Sequence, residues 1–223
     1  PSVIAGSSIS GNEMNVTASG KYAGGFVAYA GAVQISNTNA LNDSSKTTSS
    51  EIARVLQKNG LGYAFGDNRN SIDATSAINV TSTTEAGGVL GSAKMTSVGD
   101  VLGGAVKAAD YMRFELKDMS VDGGTTGLSV SSTADNGHAG GVIGQGIGGE
   151  VSNVSVKNLQ SVDAVAATGG FAGYFGSGKL ADVGGVNLLG LDILKVDGLL
   201  TVADMIKTFA NNCSVEGIAS GCT

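Results

Sequence analysis

The sequence has few charged residues, no tryptophan, one proline and one histidine. Charged side chains make up only 14% of the chain, which is less than soluble helical proteins usually carry. Glycine, in contrast, occupies 36 of 223 positions, and it suits tight turns between short strands because it tolerates unusual backbone angles. The composition therefore predicts a β-rich chain, long enough to bury a sizeable core in one elongated domain over residues 1–223.

The low content of basic residues and the lack of long apolar runs disfavour several kinds of partner. The net charge is −6 and no run of lysine or arginine is present, so nucleic acid is not expected as a partner. No apolar run approaches the roughly 18 residues that a membrane-spanning helix needs, so membrane insertion is not expected. The chain starts at Pro1 without a signal-like segment and ends at Thr223 in strand-like residues, so we expect a fragment of a longer protein.

Four copies of one short motif organise the sequence. Each copy has a small residue, two glycines, two apolar residues and another small residue, and the copies lie at 23–28, 86–91, 139–144 and 168–173. The intervals between their first glycines are 63, 53 and 29 residues. A unit of about 29 residues, counted twice in each of the first two intervals, indicates a solenoid, since a propeller blade needs about 40 or more.

We expect the copies to stack in register. Stacking aligns four apolar residues in one interior column: Phe26, Val89, Val142 and Phe171. The paired glycines fit a corner at which a Cβ would clash or a positive φ is required. Short alternating runs between the motifs predict strands of four to six residues. The predicted fold is all-β, a right-handed parallel β-helix (β-solenoid).

Two stretches depart from the strand pattern and predict short helical insertions, near residues 50–60 and 198–210. In the first, apolar residues recur at a spacing of three to four, and Gly60 can end the helix. The second has the same apolar spacing, and Asp197 can cap it. We therefore expect both segments to interrupt the repeats as surface insertions.

No recognised catalytic constellation is present, so the chain is not expected to be an enzyme, and no metal or cofactor is expected. His138 lacks a second histidine and a nearby nucleophile, so it is interpreted as an ordinary turn residue. The enzymatic alternative is a polysaccharide lyase or hydrolase of the β-helix type, with these candidate carboxylates: Asp118, Asp122, Asp135 and Glu150. Acidic residues in turns usually serve backbone hydrogen bonding instead.

Tyr29 and Tyr174 occupy equivalent positions in their copies of the repeat, so they are candidate ligand contacts that could stack on sugar rings. Packing against an insertion is the alternative role. Cys213 and Cys222 could form a disulfide in an oxidising compartment or stay as two thiols in a reducing one. Clustered threonines raise an ice-binding solenoid as a further alternative, although no Thr-x-Thr pair recurs at the repeat.

The segments 140–144 and 169–174, with strand-like runs such as 154–159, resemble the glycine-rich (GLUG-type) repeats of large bacterial surface proteins. The resemblance covers the whole chain at the level of pattern and brings no catalytic residues with it. It implies a secreted or wall-anchored segment, extracellular at the cell surface, that acts as an adhesin or structural stalk. The expected partner is a host or neighbouring-cell glycan or protein, or another copy of the chain.

Overall fold

The computed structural model of the chain describes residues 3–31, 59–63, 70–94, 114–177 and 208–218. All regular structure within these residues is β-strand, and they contain no helix. The strands form where valine, isoleucine and leucine alternate with serine, threonine and asparagine, because a strand buried on one face has a period of two. The described part of the chain is therefore all-β.

The strands form three sheets in which every pairing is parallel. The long sheet contains nine strands: β1 (Val3–Ala5), β2 (Ser8–Thr17), β5 (Asn59–Tyr63), β6 (Asn70–Ser82), β9 (Phe114–Asp122), β10 (Gly127–Ser132), β13 (Gly149–Asp163), β16 (Phe209–Asn211) and β17 (Ser214–Gly217). The first short sheet contains β3 (Tyr22–Gly24), β7 (Glu85–Gly87), β11 (His138–Gly140) and β14 (Ala167–Gly169). The second short sheet contains β4 (Val27–Gly31), β8 (Leu90–Lys94), β12 (Ile143–Ile147) and β15 (Ala172–Gly176).

Four segments of the chain each supply one strand to every sheet, and we call each such set a layer. In stacking order the layers are β2–β3–β4, β6–β7–β8, β10–β11–β12 and β13–β14–β15. Equivalent apolar residues of the second short sheet pair in one column: Val27, Leu90, Ile143 and Ala172. A column in the long sheet contains Val16, Val80, Val130 and Val162. These columns lie in the hydrophobic core or pack against it.

The column expected from the motif copies is also present. Main-chain hydrogen bonds of 2.9 Å connect its neighbours, with each amide donating to the carbonyl of the next layer: Phe26 to Val89, Val89 to Val142, and Val142 to Phe171. The two valines are buried, whereas the two phenylalanines are partly buried at the ends of the stack. The predicted alignment of these four residues is confirmed.

The prediction of a right-handed parallel β-helix is wrong, because four strands of the long sheet pair in a closed ring. Both β9 and β10 pair with β6 on one side and with β13 on the other, which closes a small barrel of four strands. The cause is a turn at 123–126, where Asp122 Oδ1 accepts a hydrogen bond of 3.0 Å from the amide of Gly124. Positive φ angles of 76° at Gly124 and 100° at Gly127 divide a run that would otherwise form one strand.

The predicted helical insertions lie almost entirely outside the described residues. Of the segment 50–60, residues 50–58 lie outside the described residues, and Asn59 begins strand β5, where it pairs with Phe114. Of 198–210, residues 198–207 lie outside them, and Phe209 begins strand β16.

The second glycine of each motif allows close contact between layers rather than a positive φ. A Cβ at Gly25, Gly88 or Gly141 would overlap the main-chain carbonyl oxygen of the equivalent glycine in the next layer. At Gly170, in the last of the four layers, a Cβ would have no atom within 4 Å. The requirement for glycine at this position therefore comes from the neighbouring layer.

We predict that Gly141→Ala destabilises the protein and that Gly170→Ala does not. The added Cβ at position 141 overlaps the carbonyl of Gly170, so the layers must separate locally, at a cost of about 1–3 kcal/mol in the free energy of unfolding. Gly170 is the matched control, since it has the same place in its motif and no obstacle. Urea unfolding measures both changes, and equal stabilities for the two variants would contradict the explanation.

Candidate functional site

Tyr29 and Tyr174 lie in the same row of the second short sheet. Tyr29 pairs with Ser92, Ser92 with Gln145, and Gln145 with Tyr174. Both tyrosines are exposed, by 49% and 45% respectively. Three strand spacings separate them, which is about 14 Å. The row therefore has an exposed aromatic ring at each end and two polar residues between.

Each tyrosine is held by another ring and by a glycine two residues later. The rings of Tyr29 and Tyr22 stack with centroids 5.1 Å apart, and the rings of Tyr174 and His138 are 5.5 Å apart at a tilt of 48°. A Cβ at Gly31 would lie 2.9 Å from Cε1 of Tyr29, and one at Gly176 would lie 2.7 Å from Cε1 of Tyr174. Both rings therefore lie over their own strand, in space that glycine leaves free.

A second row of side chains runs through the first short sheet. Tyr22 pairs with Glu85, Glu85 with His138, and His138 with Ala167. Within this row, Oε2 of Glu85 lies 2.9 Å from Nδ1 of His138, and the Glu85 side chain is mostly buried. The two ring contacts join this row to that of Tyr29 and Tyr174 near both ends, so the rows run side by side.

The surroundings of the Glu85 carboxyl shift its pKa. Burial raises the pKa of Glu85 above its ordinary value of 4.5. The hydrogen bond from His138, the charge of His138 and the charge of Lys94 act in the opposite direction but do not cancel the effect of burial. The side-chain carboxyl of Glu85 has one hydrogen-bond partner in the described part of the chain, the imidazole of His138.

Gln145 is the second polar residue whose position matters. Its Oε1 lies 3.4 Å from the hydroxyl of Ser92, which is fully buried, and only 8% of Gln145 is exposed. We define the tyrosine strip as the two rows without Ala167: Tyr22, Tyr29, Glu85, Ser92, His138, Gln145 and Tyr174.

The aspartates of the enzymatic alternative have structural partners. Oδ1 of Asp118 accepts from the side-chain amide of Asn153 at 3.0 Å, and both residues adopt positive φ angles at a bend of the long sheet. Asp122 accepts from the amide of Asn158 at 2.7 Å as well as from its own turn. It borders a cavity of about 690 Å³ whose described lining contains no second carboxylate.

The other two candidate carboxylates lie apart from these. Asp135 is exposed in the turn after β10. Glu150 forms an ion pair with Lys117 at 3.2 Å, and Lys117 also lies 3.8 Å from Glu115. Glu115, which was not among the predicted carboxylates, pairs directly with Glu150 in the sheet, and an alignment of the β9 and β13 runs could have revealed this pair. The structure does not bring the four predicted carboxylates together.

His138 was interpreted as an ordinary turn residue, and that interpretation is wrong. It begins strand β11 and binds Glu85, although 53 residues separate the two in sequence. The available signal was their shared position, because each directly precedes an Ala-Gly-Gly copy of the motif.

The remaining candidates give less. The thiol of Cys213 lies 3.6 Å from the carbonyl oxygen of Val151, and Cys222 lies outside the described residues, so their disulfide stays a prediction. Across the described ranges, no cluster of three or more histidine, cysteine or acidic residues could hold a metal ion. A search of the same ranges finds no helix with the length and apolar character needed to cross a membrane.

We predict that Glu85→Gln alters how stability depends on pH. Because the folded-state pKa of Glu85 is raised, the protonated carboxyl contributes stability below pH 4.5, and that contribution is lost as the pH rises through the folded-state pKa. Glutamine does not titrate, so the variant should gain stability relative to wild type as the pH rises from 4.5 through the folded-state pKa of Glu85. Urea unfolding at a series of pH values measures the difference.

A His138→Asn background provides the control. It removes the charge that opposes the effect of burial on Glu85, while Lys94 stays in place. The gain of Glu85→Gln over its parent should therefore continue to higher pH and become larger in this background. A gain that is independent of pH in both backgrounds would show that burial of Glu85 has no effect on its pKa.

Comparisons with protein families, with curated proteins and with solved structures find no match to this chain.

Proposed function

We propose that this chain is a non-enzymatic segment of an extracellular surface protein and acts as an adhesin, with the two exposed rings of the tyrosine strip, Tyr29 and Tyr174, as its binding surface. The observation that carries the proposal is the pair of exposed rings, Tyr29 and Tyr174, held in one row about 14 Å apart. Large aromatic side chains exposed at fixed positions are typical of recognition surfaces, because they offer contact area at a low entropic cost.

The way in which each ring is held supports a binding role over a packing role. A tyrosine that packs against another segment would bury its ring, whereas these two keep about half of their surface exposed. Their neighbours Tyr22 and His138 restrict the rings from the side. Such restriction lowers the entropy that a ligand must remove on binding.

The positions of the acidic residues support a non-enzymatic role. General acid–base cleavage of a glycan needs two carboxyl groups facing one substrate. Asp118 and Asp122 instead accept hydrogen bonds that hold a bend and a turn, and Glu150 is paired with Lys117. The stacked, parallel layers also suit a structural stalk that presents the exposed rings at a distance from a cell.

We predict that the double variant Tyr29→Ala, Tyr174→Ala loses binding to the ligand. The purified chain is screened against a glycan array and a panel of host-matrix proteins, and the best ligand is then titrated. Loss of both rings should weaken binding at least tenfold, about 1.4 kcal/mol. Phe209→Ala is the matched control, because Phe209 is also an exposed aromatic residue but lies in β16 of the long sheet.

Three results would contradict the proposal. The first is that the double variant binds as tightly as wild type and Phe209→Ala. The second is turnover of a polysaccharide that is abolished by Glu150→Gln or Asp122→Asn, which would favour the lyase or hydrolase. The third is thermal hysteresis in the wild-type chain, which would favour ice binding.

A further prediction concerns the glycines beneath the rings. Gly176→Ala places a Cβ 2.7 Å from Cε1 of Tyr174, so the ring must rotate away from its strand although the tyrosine itself is unchanged. Affinity for the ligand should fall several-fold while the urea midpoint changes little, since the displaced ring is exposed. Gly20→Ala is the control, because its Cβ meets no atom within 4 Å. Equal affinities for the two variants would contradict a role for the ring's orientation.

A further inference from the structure

We infer that the outer edge of the last corner, residues 168–172, docks an extended segment of another polypeptide that carries the same corner sequence as this repeat. We call this edge the open corner. It joins strands β14 and β15 at the end of the stack, and among the described residues no strand pairs with its outer side. The inference concerns a main-chain edge and not the exposed rings, so it does not depend on the proposed function.

The space beside Gly170 is the first observation. In each of the three earlier layers, a Cβ at the second glycine of the corner would lie 2.1 or 2.2 Å from a carbonyl oxygen of the next layer. Gly170 has the same place in its motif, its φ is not positive, and a Cβ there would have no atom within 4 Å. Nothing in the described chain therefore requires glycine at position 170, whereas a docked carbonyl group would require it.

The main-chain amides of the open corner face outwards. In the preceding layer, the amides of residues 141–143 donate hydrogen bonds to the carbonyl groups of Gly169 and Phe171. The first and second layers repeat this pattern toward the layer that follows each of them. The amides of residues 170–172 have the equivalent positions, so they point to the place of a following layer. Such an edge is a template for the addition of a strand.

A groove of about 500 Å³ runs beside the open corner, and its apolar lining includes Val162, Phe171 and Val215. Phe171 is only partly buried, whereas Val89 and Val142, at the equivalent positions of the inner layers, are fully buried. An apolar side chain at the fifth place in this column would cover Phe171. A docked segment therefore gains hydrophobic contact as well as main-chain hydrogen bonds.

The earlier corners define the sequence that the docked segment needs. Its first glycine is required by its own corner, since a Cβ at Gly140 would lie 2.1 Å from the carbonyl oxygen of Ile143. Its second glycine is required only by a following layer, as the open space at Gly170 shows. The expected partner therefore has a glycine, a small residue and two apolar residues in succession.

A second copy of the chain does not fit this edge in the same register. Serines of successive layers pair in one row of the long sheet, in the order Ser8, Ser71, Ser120, Ser155 and Ser214. Ser214 belongs to β17, so β17 already occupies the place that β2 of a stacked copy would take. A single extended segment can bind the open corner without displacing β17, because the pairing of β17 with β13 ends at Leu159.

A peptide with the sequence of residues 138–147 is the probe for the test, because it contains one complete corner with strands β11 and β12. The fluorescein-labelled peptide should bind the purified chain, and fluorescence anisotropy measures its affinity. Gly170→Ala in the protein should weaken binding about tenfold or more, because the added Cβ overlaps the docked carbonyl group. Gly20→Ala is the matched control, since its Cβ also meets no atom within 4 Å but lies in the first layer.

Two variants of the peptide identify the end of the stack that it binds. Gly140→Ala in the peptide should abolish binding, because its Cβ prevents the corner from forming. Gly141→Ala in the peptide should keep full affinity, because no layer follows the docked segment. A peptide docked on the first layer would instead lose affinity with Gly141→Ala, since its Cβ would overlap the carbonyl group of Gly25.

Each alternative outcome has a definite meaning. The inference is wrong if the peptide does not bind, if Gly170→Ala and Gly20→Ala bind it equally well, or if Gly141→Ala in the peptide removes binding. It is also wrong if light scattering shows dimers of the chain that Gly170→Ala dissociates, because the occupant is then a second copy. Urea unfolding checks that Gly170→Ala is folded. None of these results involves the exposed rings, so a failure here leaves the adhesin proposal standing.

Discussion

The contact between glycines of successive layers is the constraint on which the rest of the structure depends. At Gly25, Gly88 and Gly141, the carbonyl of the next layer occupies the space that a Cβ would take. This approach allows the amides at the corner to bond to the carbonyls of the next layer. The corner connects the two short sheets, so fixing its register also fixes the pairing of the strands before and after it. An error of one residue at one corner would move apolar columns of both sheets out of the core.

The register of the paired strands brings residues that are far apart in the sequence close together in space. Glu85 and His138 meet because both directly precede a corner, and Tyr29 and Tyr174 share a row because both follow one at the same distance. No single repeat contains a binding surface. The tyrosine strip exists only when all four layers are stacked, so the stability of the stack and the integrity of the candidate site are linked. Disruption of Gly141 should therefore affect both.

The repeated motif, its apolar columns and the equivalence of the tyrosine positions could be predicted from the sequence, since they depend on a spacing that is directly visible in it. The sequence was insufficient for the closed ring of β6, β9, β13 and β10, because that ring depends on one local turn. In the turn, Gly124 and Gly127 adopt positive φ angles, and the interval between motif copies does not reveal them.

The corner also explains where function can vary. Its own positions must stay small, since close main-chain contact leaves no room for side chains, but the flanking positions carry no such restriction. The position before the corner holds Tyr22, Glu85 and His138 in successive layers. These are three side chains of different chemical character at equivalent backbone positions. Burial makes the carboxylate unfavourable in one layer, and the imidazole of the next layer offsets part of that cost. Because the flanking positions of this stack accept different side chains, residues from several layers can together form a binding surface. Each buried polar group then needs a partner in the adjoining layer or in a ligand.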